Sequence, residues 1–164
     1  MLPSIISQTI EVIKPIMQFI NWAIAVRGIL IKIYETVRWY AQQKGRPKKA
    51  DVLAETYKEL GEIRGITRRY RYRQKKVATG QLYEDIKRIS RINTELDDKI
   101  KNLTGKSLFD VLKDPPQEFP TLPSDETLTE LPVLELIIKE EMKNIGNIAM
   151  RTQRQIRKII PEIK

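Results

Sequence analysis

Seven basic side chains crowd into thirteen residues: Arg64, Arg68, Arg69, Arg71, Arg73, Lys75 and Lys76, with no acid among them. Tyr70 and Tyr72 are interleaved. On a helix, Arg64, Arg68, Arg71 and Lys75 share one stripe, and Arg69, Arg73 and Lys76 share the next. Like charges at this density repel, so the segment suits a polyanion. Two chemistries fit it. Nucleic acid phosphates would pair with the cations while the tyrosines stack on bases. Anionic lipid headgroups, or an acidic protein, would use the same charges, and tyrosines also settle at headgroup level. A solvated basic face is the plain alternative.

The rest of the composition argues against catalysis. Histidine and cysteine are both absent. There is no imidazole base, no thiolate and no Cys/His metal set. The 7 glycines form no phosphate-cradling loop. Asp97-Asp98 and Glu140-Glu141 are adjacent pairs. On helices, neighbours in sequence do not face one another. No catalytic residue, cofactor, metal or small-molecule substrate is expected.

Net charge is +9, and residues 41–80 carry nearly all of the excess, with twelve basic against four acidic side chains. That block follows a long apolar stretch, from Ile5 to about Ala41, read as one helix capped by Ser4 and kinked or restarted at Pro15. Glu11, Lys14, Gln18, Asn21, Ala25, Gly28, Lys32 and Glu35 fall at steps of three and four, one narrow polar stripe. Most of the remaining girth is apolar, with Ile16, Phe19, Ile20, Trp22, Ile24 and Ile31 as membrane or assembly anchors. A chain of 164 residues has little core in which to surround such a helix. The expected surroundings are therefore a bilayer, its interface, or partner chains. The uncharged run at 15–26 is short for a lone span. The N-terminus lacks a basic lead and a cleavage site, so secretion by a signal peptide is not expected.

Further helices follow. One starts near Asp51, with Leu53, Tyr57, Leu60, Ile63 and Thr67 on its apolar face, and is expected to reach Val77 before a stop at Gly80. Another runs from Gln81 to Asn102, where Leu82, Ile86, Ile89, Asn93, Leu96, Ile100 and Leu103 make a heptad seam. Ile at a, Leu at d and one Asn at a suit a parallel two-stranded coiled coil; an antiparallel hairpin on the preceding helix fits equally. Pro115, Pro116, Pro120, Pro123 and Pro132 make residues 104–131 an acidic, extended strap. A last helix opens at Pro132, with Leu134, Ile138, Glu141, Ile145, Ile148, Thr152, Ile156, Ile159 and Ile163 as its seam, and ends at Pro161.

The sequence thus predicts an all-α, elongated, oligomeric protein with four parts. They are an anchor helix (1–44), a basic hairpin or coiled coil (45–103), the strap (104–131) and an amphipathic C-terminal helix (132–164). The expected role is a non-enzymatic structural or assembly component. It would sit in a membrane-associated complex or inside a virion-like particle, with copies of itself or other chains as partners. The alternative is a protein that packages or organises nucleic acid.

Overall fold

The computed structural model describes residues 2–43, 49–71, 76–104 and 132–163, with side chains from residue 13 onward and excluding residue 104. The described residues form four helices and no strand: α1 (Leu2–Gln42), α2 (Ala50–Arg68), α3 (Thr79–Thr104) and α4 (Pro132–Ile159). Residues 105–131 of the expected strap lie outside the described residues, and its first residue, Thr104, closes α3.

The four helices form one bundle with a single core. Cross-links between helices fix their directions. Trp22 Nε1 donates to Ser90 Oγ at 3.0 Å, and Lys49 beside the end of α1 reaches the Asn102 carbonyl at the end of α3, so α1 and α3 run parallel. Lys99 pairs with Glu55, and Arg88 with Glu62, so α2 and α3 are antiparallel. Thr67 meets Gly146 and Tyr57 meets Gln153, so α2 and α4 are antiparallel too. The topology is up-down-up-up. Helix α4 lies between α1 and α2, and α3 closes the opposite side, which leaves α1 and α2 on a diagonal although they are consecutive in the chain.

Helix α1 is not short of a core. Phe19, Trp22, Ala23, Val26, Ile29, Leu30, Ile33, Val37 and Tyr40 recur at helical spacing and are buried against α3 and α4. This corrects the expectation that the chain is too small to cover its first helix. The described members of the polar stripe, from Lys14 to Glu35, are all half-buried or exposed and face out of the bundle. Pro15 sits inside α1 without ending it. At 1.5 Å per residue, the 41 residues of α1 span about 61 Å against about 42 Å for the 28 of α4, so α1 outruns its neighbour.

All seven residues of the α3 seam are buried, and they face α1 and α2 of the same chain. Asn93 is buried with them, yet neither its Oδ1 nor its Nδ2 has a hydrogen-bond partner. In α4, Leu134, Ile138, Ile145, Thr152 and Ile156 are buried as read, while Met142, Gly146, Ala149 and Gln153 widen the stripe. Glu141 leaves the core to pair with Arg27 at 3.0 Å. The wider stripe reflects two neighbours, α1 and α2, rather than one.

Glycines set the α2–α4 approach. A Cβ on Gly146 would lie 2.5 Å from Thr67 Oγ1, and one on Gly61 would lie 3.2 Å from Gln153 Nε2. Gln153 uses the proximity, donating to the Tyr57 carbonyl at 2.9 Å and accepting from Arg64 at 2.6 Å. Buried Thr56 and Thr152 satisfy their hydroxyls on carbonyls one turn back.

Two substitutions test this packing. Asn93→Leu replaces an unpaired polar group by an apolar one of similar size, and should raise unfolding stability by about 1–3 kcal/mol in chemical denaturation; a loss would mean that Asn93 holds a polar partner. Gly146→Ala should cost about 1–3 kcal/mol by overpacking against Thr67. Gly65→Ala, with open space at its Cβ, should instead be neutral or gain up to about 1 kcal/mol from helix propensity. Equal effects at the two glycines would contradict the α2–α4 contact.

Candidate polyanion site

The basic run does not form one continuous helix. Helix α2 ends at Arg68, not near Val77. The amides of Arg69, Tyr70 and Arg71 reach back only three residues, to Ile66, Thr67 and Arg68, so the helix tightens and closes. Gly80, expected as a stop, lies within the first turn of α3. Repulsion between arginines at helical spacing opposes continuing the helix.

What replaces the helix is a buried hub. Asp85 on α3 is almost fully buried and accepts from three donors: Tyr70 Oη at 2.5 Å, Arg69 at 3.1 Å and Gln81 at 2.9 Å. Burial and this hydrogen bond push the Tyr70 hydroxyl well above the ordinary phenol range. Tyr70 is thereby committed to the core, which withdraws it from both roles read for it, stacking on bases and settling among headgroups. Arg64 is likewise committed, to Gln153. Arg68, Arg71 and Lys76 are exposed. Tyr72, Arg73 and Lys75 lie outside the described residues.

Other cations join at this end of the bundle. Lys87, Arg88 and Arg91 of α3 line an α2–α3 groove of about 420 Å³ together with Arg69. Lys139 and Lys143 of α4 line a second cleft, of about 570 Å³, with Tyr70 and Arg71. The seven-residue run pointed to the place but not to these partners, because they come from helices read as seams.

Apolar side chains are exposed at the same end. Among the described residues, eight large apolar side chains are exposed: Ile13, Met17, Ile24, Ile31, Trp39, Tyr83, Val133 and Leu136. Trp22 touches Ser90, so Met17, five residues earlier, lies level with Asp85 on the parallel helix. Arg27 pairs with Glu141, which by the same step sets Leu136 level with Trp22. Met17 and Tyr83 therefore lie near Asp85, with Ile13 one turn further along α1, and Leu136 lines a cleft with Tyr70 and Arg71, with Val133 one turn before it on α4. Among the sequence-read anchors, Phe19 and Trp22 are in the core, Ile16 and Ile20 are half-buried, and Ile24 and Ile31 are exposed on the outer face of α1. From Ile13 to Gln42, α1 is long and apolar enough to cross a bilayer by length and composition, with 39% of its most apolar window buried inside the bundle.

Near the middle of α2, Glu59 faces Glu95 of α3, with Glu55 and Lys99 beside it. Burial and the Glu95 charge push its carboxyl up to about 7, against an opposing pull from Lys99. Among the described residues, no three His, Cys, Asp or Glu side chains converge as a metal set.

Comparison with known proteins finds no matching family model, no matching curated protein and no matching solved structure.

The raised Glu59 carboxyl makes stability depend on pH. The folded chain keeps this proton up to about 7, whereas the unfolded chain releases it near 4.5. The folded state binds more protons between those values, so stability should fall as pH rises through that window. Glu59→Gln should flatten the fall and be more stable than the parent above pH 7. A Gln variant with an unchanged pH profile would show that Glu59 is solvated.

Proposed function

We propose that the protein is a non-enzymatic structural component that seats one end of its helical bundle on an anionic membrane surface, within a membrane-associated assembly or a virion-like particle. The observation behind this reading is the coincidence of two surfaces. Arg68, Arg71, Lys76, Lys87 and Arg91 share one end of the bundle with exposed Ile13, Met17, Val133 and Leu136. Basic groups alone suit any polyanion. Basic groups interleaved with exposed aliphatic side chains suit a headgroup layer, where cations meet lipid phosphates and apolar tips enter the acyl boundary. A nucleic acid backbone makes no use of exposed Val133 or Leu136.

The length of α1 fits the same arrangement. Its first turns run on past the basic end, and their sequence holds Leu2, Ile5, Ile6, Ile10 and Val12. In this reading the anchor is the N-terminal part of α1, up to about Met17, while Phe19 and everything after it on the inner face belong to the bundle. Self-association remains part of the proposal, through the outer face of α1, where Gly28 has nothing within 4 Å of its Cβ position.

Co-sedimentation with vesicles tests the reading. The full chain should bind vesicles of phosphatidylcholine mixed with phosphatidylserine, and bind them less as salt rises. Each charge near the surface is worth roughly 1 kcal/mol. The variant with Arg68, Arg71 and Lys76 all changed to Gln should therefore lose on the order of 100-fold in affinity. Tight, salt-sensitive binding to DNA or RNA with no affinity for these vesicles would replace this reading by nucleic-acid packaging.

A further inference from the structure

We propose that the flank formed by α2 and α4 binds the phosphate backbone of a nucleic acid duplex. This surface runs from Lys143 away from the basic end, and it does not depend on the membrane reading.

Helix α2 sorts its charges between its neighbours. Glu55 and Glu62 pair with Lys99 and Arg88 of α3, and Glu59 faces Glu95 of the same helix. The acids of α2 are thus turned toward α3, apart from Asp51 in its first turn. On the side toward α4, Tyr57 and Arg64 meet Gln153, and Arg157 stands 5.4 Å over the Tyr57 ring. Lys58 is exposed beside them. Helix α4 then continues the pattern. Residues 142–161 hold no acid and five bases, Lys143, Arg151, Arg154, Arg157 and Lys158, all of them exposed. Ile145, Gly146, Ala149, Thr152, Gln153 and Ile156 of the same stretch are buried, so the bases have the outward face. Among the described residues, neither Lys58 nor any of these five bases is paired with a carboxylate. Glu140 comes before the row, and Glu162 and Asp51 lie past its far end. Glu135 is taken up by Lys139.

The partner follows from the length, density and chemistry of the row. At 1.5 Å per residue, Lys143 to Lys158 covers about 22 Å. A duplex carries one negative charge per about 1.7 Å of axis, so a row of that length passes about 13 phosphates on the two strands. A protein reaches that charge density only with an unbroken run of acids, which repels itself. Three of the five bases on α4 are arginines, whose donor forks suit phosphate oxygens. They stand on a helix packed against both α1 and α2, so their spacing is set before any partner arrives, which lowers the ordering cost of binding. A bilayer fits this flank less well. The exposed large apolar side chains described on α2 and α4 are Val133 and Leu136, and both precede Lys143. Nothing along the row would enter the acyl region. Unpaired bases fit less well too, because Tyr57 is half-buried beneath Arg157 and offers no stacking platform. Contacts confined to phosphate make the binding independent of sequence.

Fluorescence anisotropy of a labelled random-sequence DNA duplex with the full chain tests the flank. The parent should bind, with log affinity falling linearly against log salt. Arg151→Gln with Arg154→Gln should shrink that slope by up to about 1.8, at about 0.9 per lost phosphate contact. Lys32→Gln with Lys101→Gln removes the same charge from α1 and α3 and should leave the slope nearly unchanged. Helical circular dichroism should match the parent in both. Equal losses in the two double variants would show that only net charge matters and would overturn the proposal, as would no duplex binding by the parent at low salt. Polyglutamate that displaces the duplex at equal charge concentration would assign the flank to an acidic protein instead. Binding to phosphatidylserine vesicles should be the same for the parent and for the Arg151 and Arg154 double variant, since Arg68, Arg71, Lys76, Lys87 and Arg91 are untouched. A matching loss on vesicles would make the flank part of the membrane surface and overturn its assignment to nucleic acid. Flank-dependent duplex binding by a parent that ignores vesicles would overturn the membrane reading and leave this one standing.

Discussion

The inner face of α1 is the constraint on which the bundle depends. From Phe19 to Tyr40 it presents nine side chains that are buried, and no short helix could cover them. Helix α4 makes the larger contact with α1, and α3 the smaller one. Helix α4 has a second duty, because α2 packs on its other side. That double contact explains why its apolar stripe is broad and why Gly146 stands where Thr67 must pass. A larger residue there would push α2 away from α4 and, through α4, loosen the cover on α1.

Two carboxylate sites on α2 and α3 are handled differently. At one end the chain terminates α2 early, turns Tyr70 inward and neutralises Asp85 with three donors. With that carboxylate taken up by Arg69, Tyr70 and Gln81, Arg68, Arg71 and Lys76 stay exposed at the end of the bundle where Ile13, Met17, Val133 and Leu136 are also exposed. Near the middle of α2, Glu59 faces Glu95 of α3, and burial together with their repulsion favours a proton on Glu59. The charge pattern of the bundle thus depends on where each carboxylate finds its partner, and not on net charge alone.

Much of the helical content was legible from periodicity, and the rest was not for physical reasons. The spacing of Leu82 to Leu103 marks a buried seam, and all seven residues are buried. A seam states that something covers it but not which chain supplies the cover, so a coiled-coil partner and the chain's own α1 and α2 looked alike. The girth of α1 was misread for the same reason. Its cover, α4, lies about a hundred residues away in sequence, and no local pattern encodes that pairing. Pro132 marked the start of α4 because proline suits a first helical position. The end of α2 was missed because helix propensity alone allows Arg and Tyr to continue; the repulsion among Arg64, Arg68 and Arg71 was the available signal. Of the basic site, its location was legible. Lys139, Lys143, Lys87 and Arg91 were not, since they arrive from other helices. Tyr70 looked free because its acid, Asp85, stands fifteen residues on.

The account turns on α1 belonging to the bundle of its own chain before any lipid or partner is present. Amide hydrogen exchange of the lipid-free chain tests this directly. Residues 19–40 of α1 should exchange together with α4, at the slow rate set by global unfolding. Rapid exchange of residues 19–40 while α2, α3 and α4 stay protected would show that α1 is not their core helix, and would contradict the account.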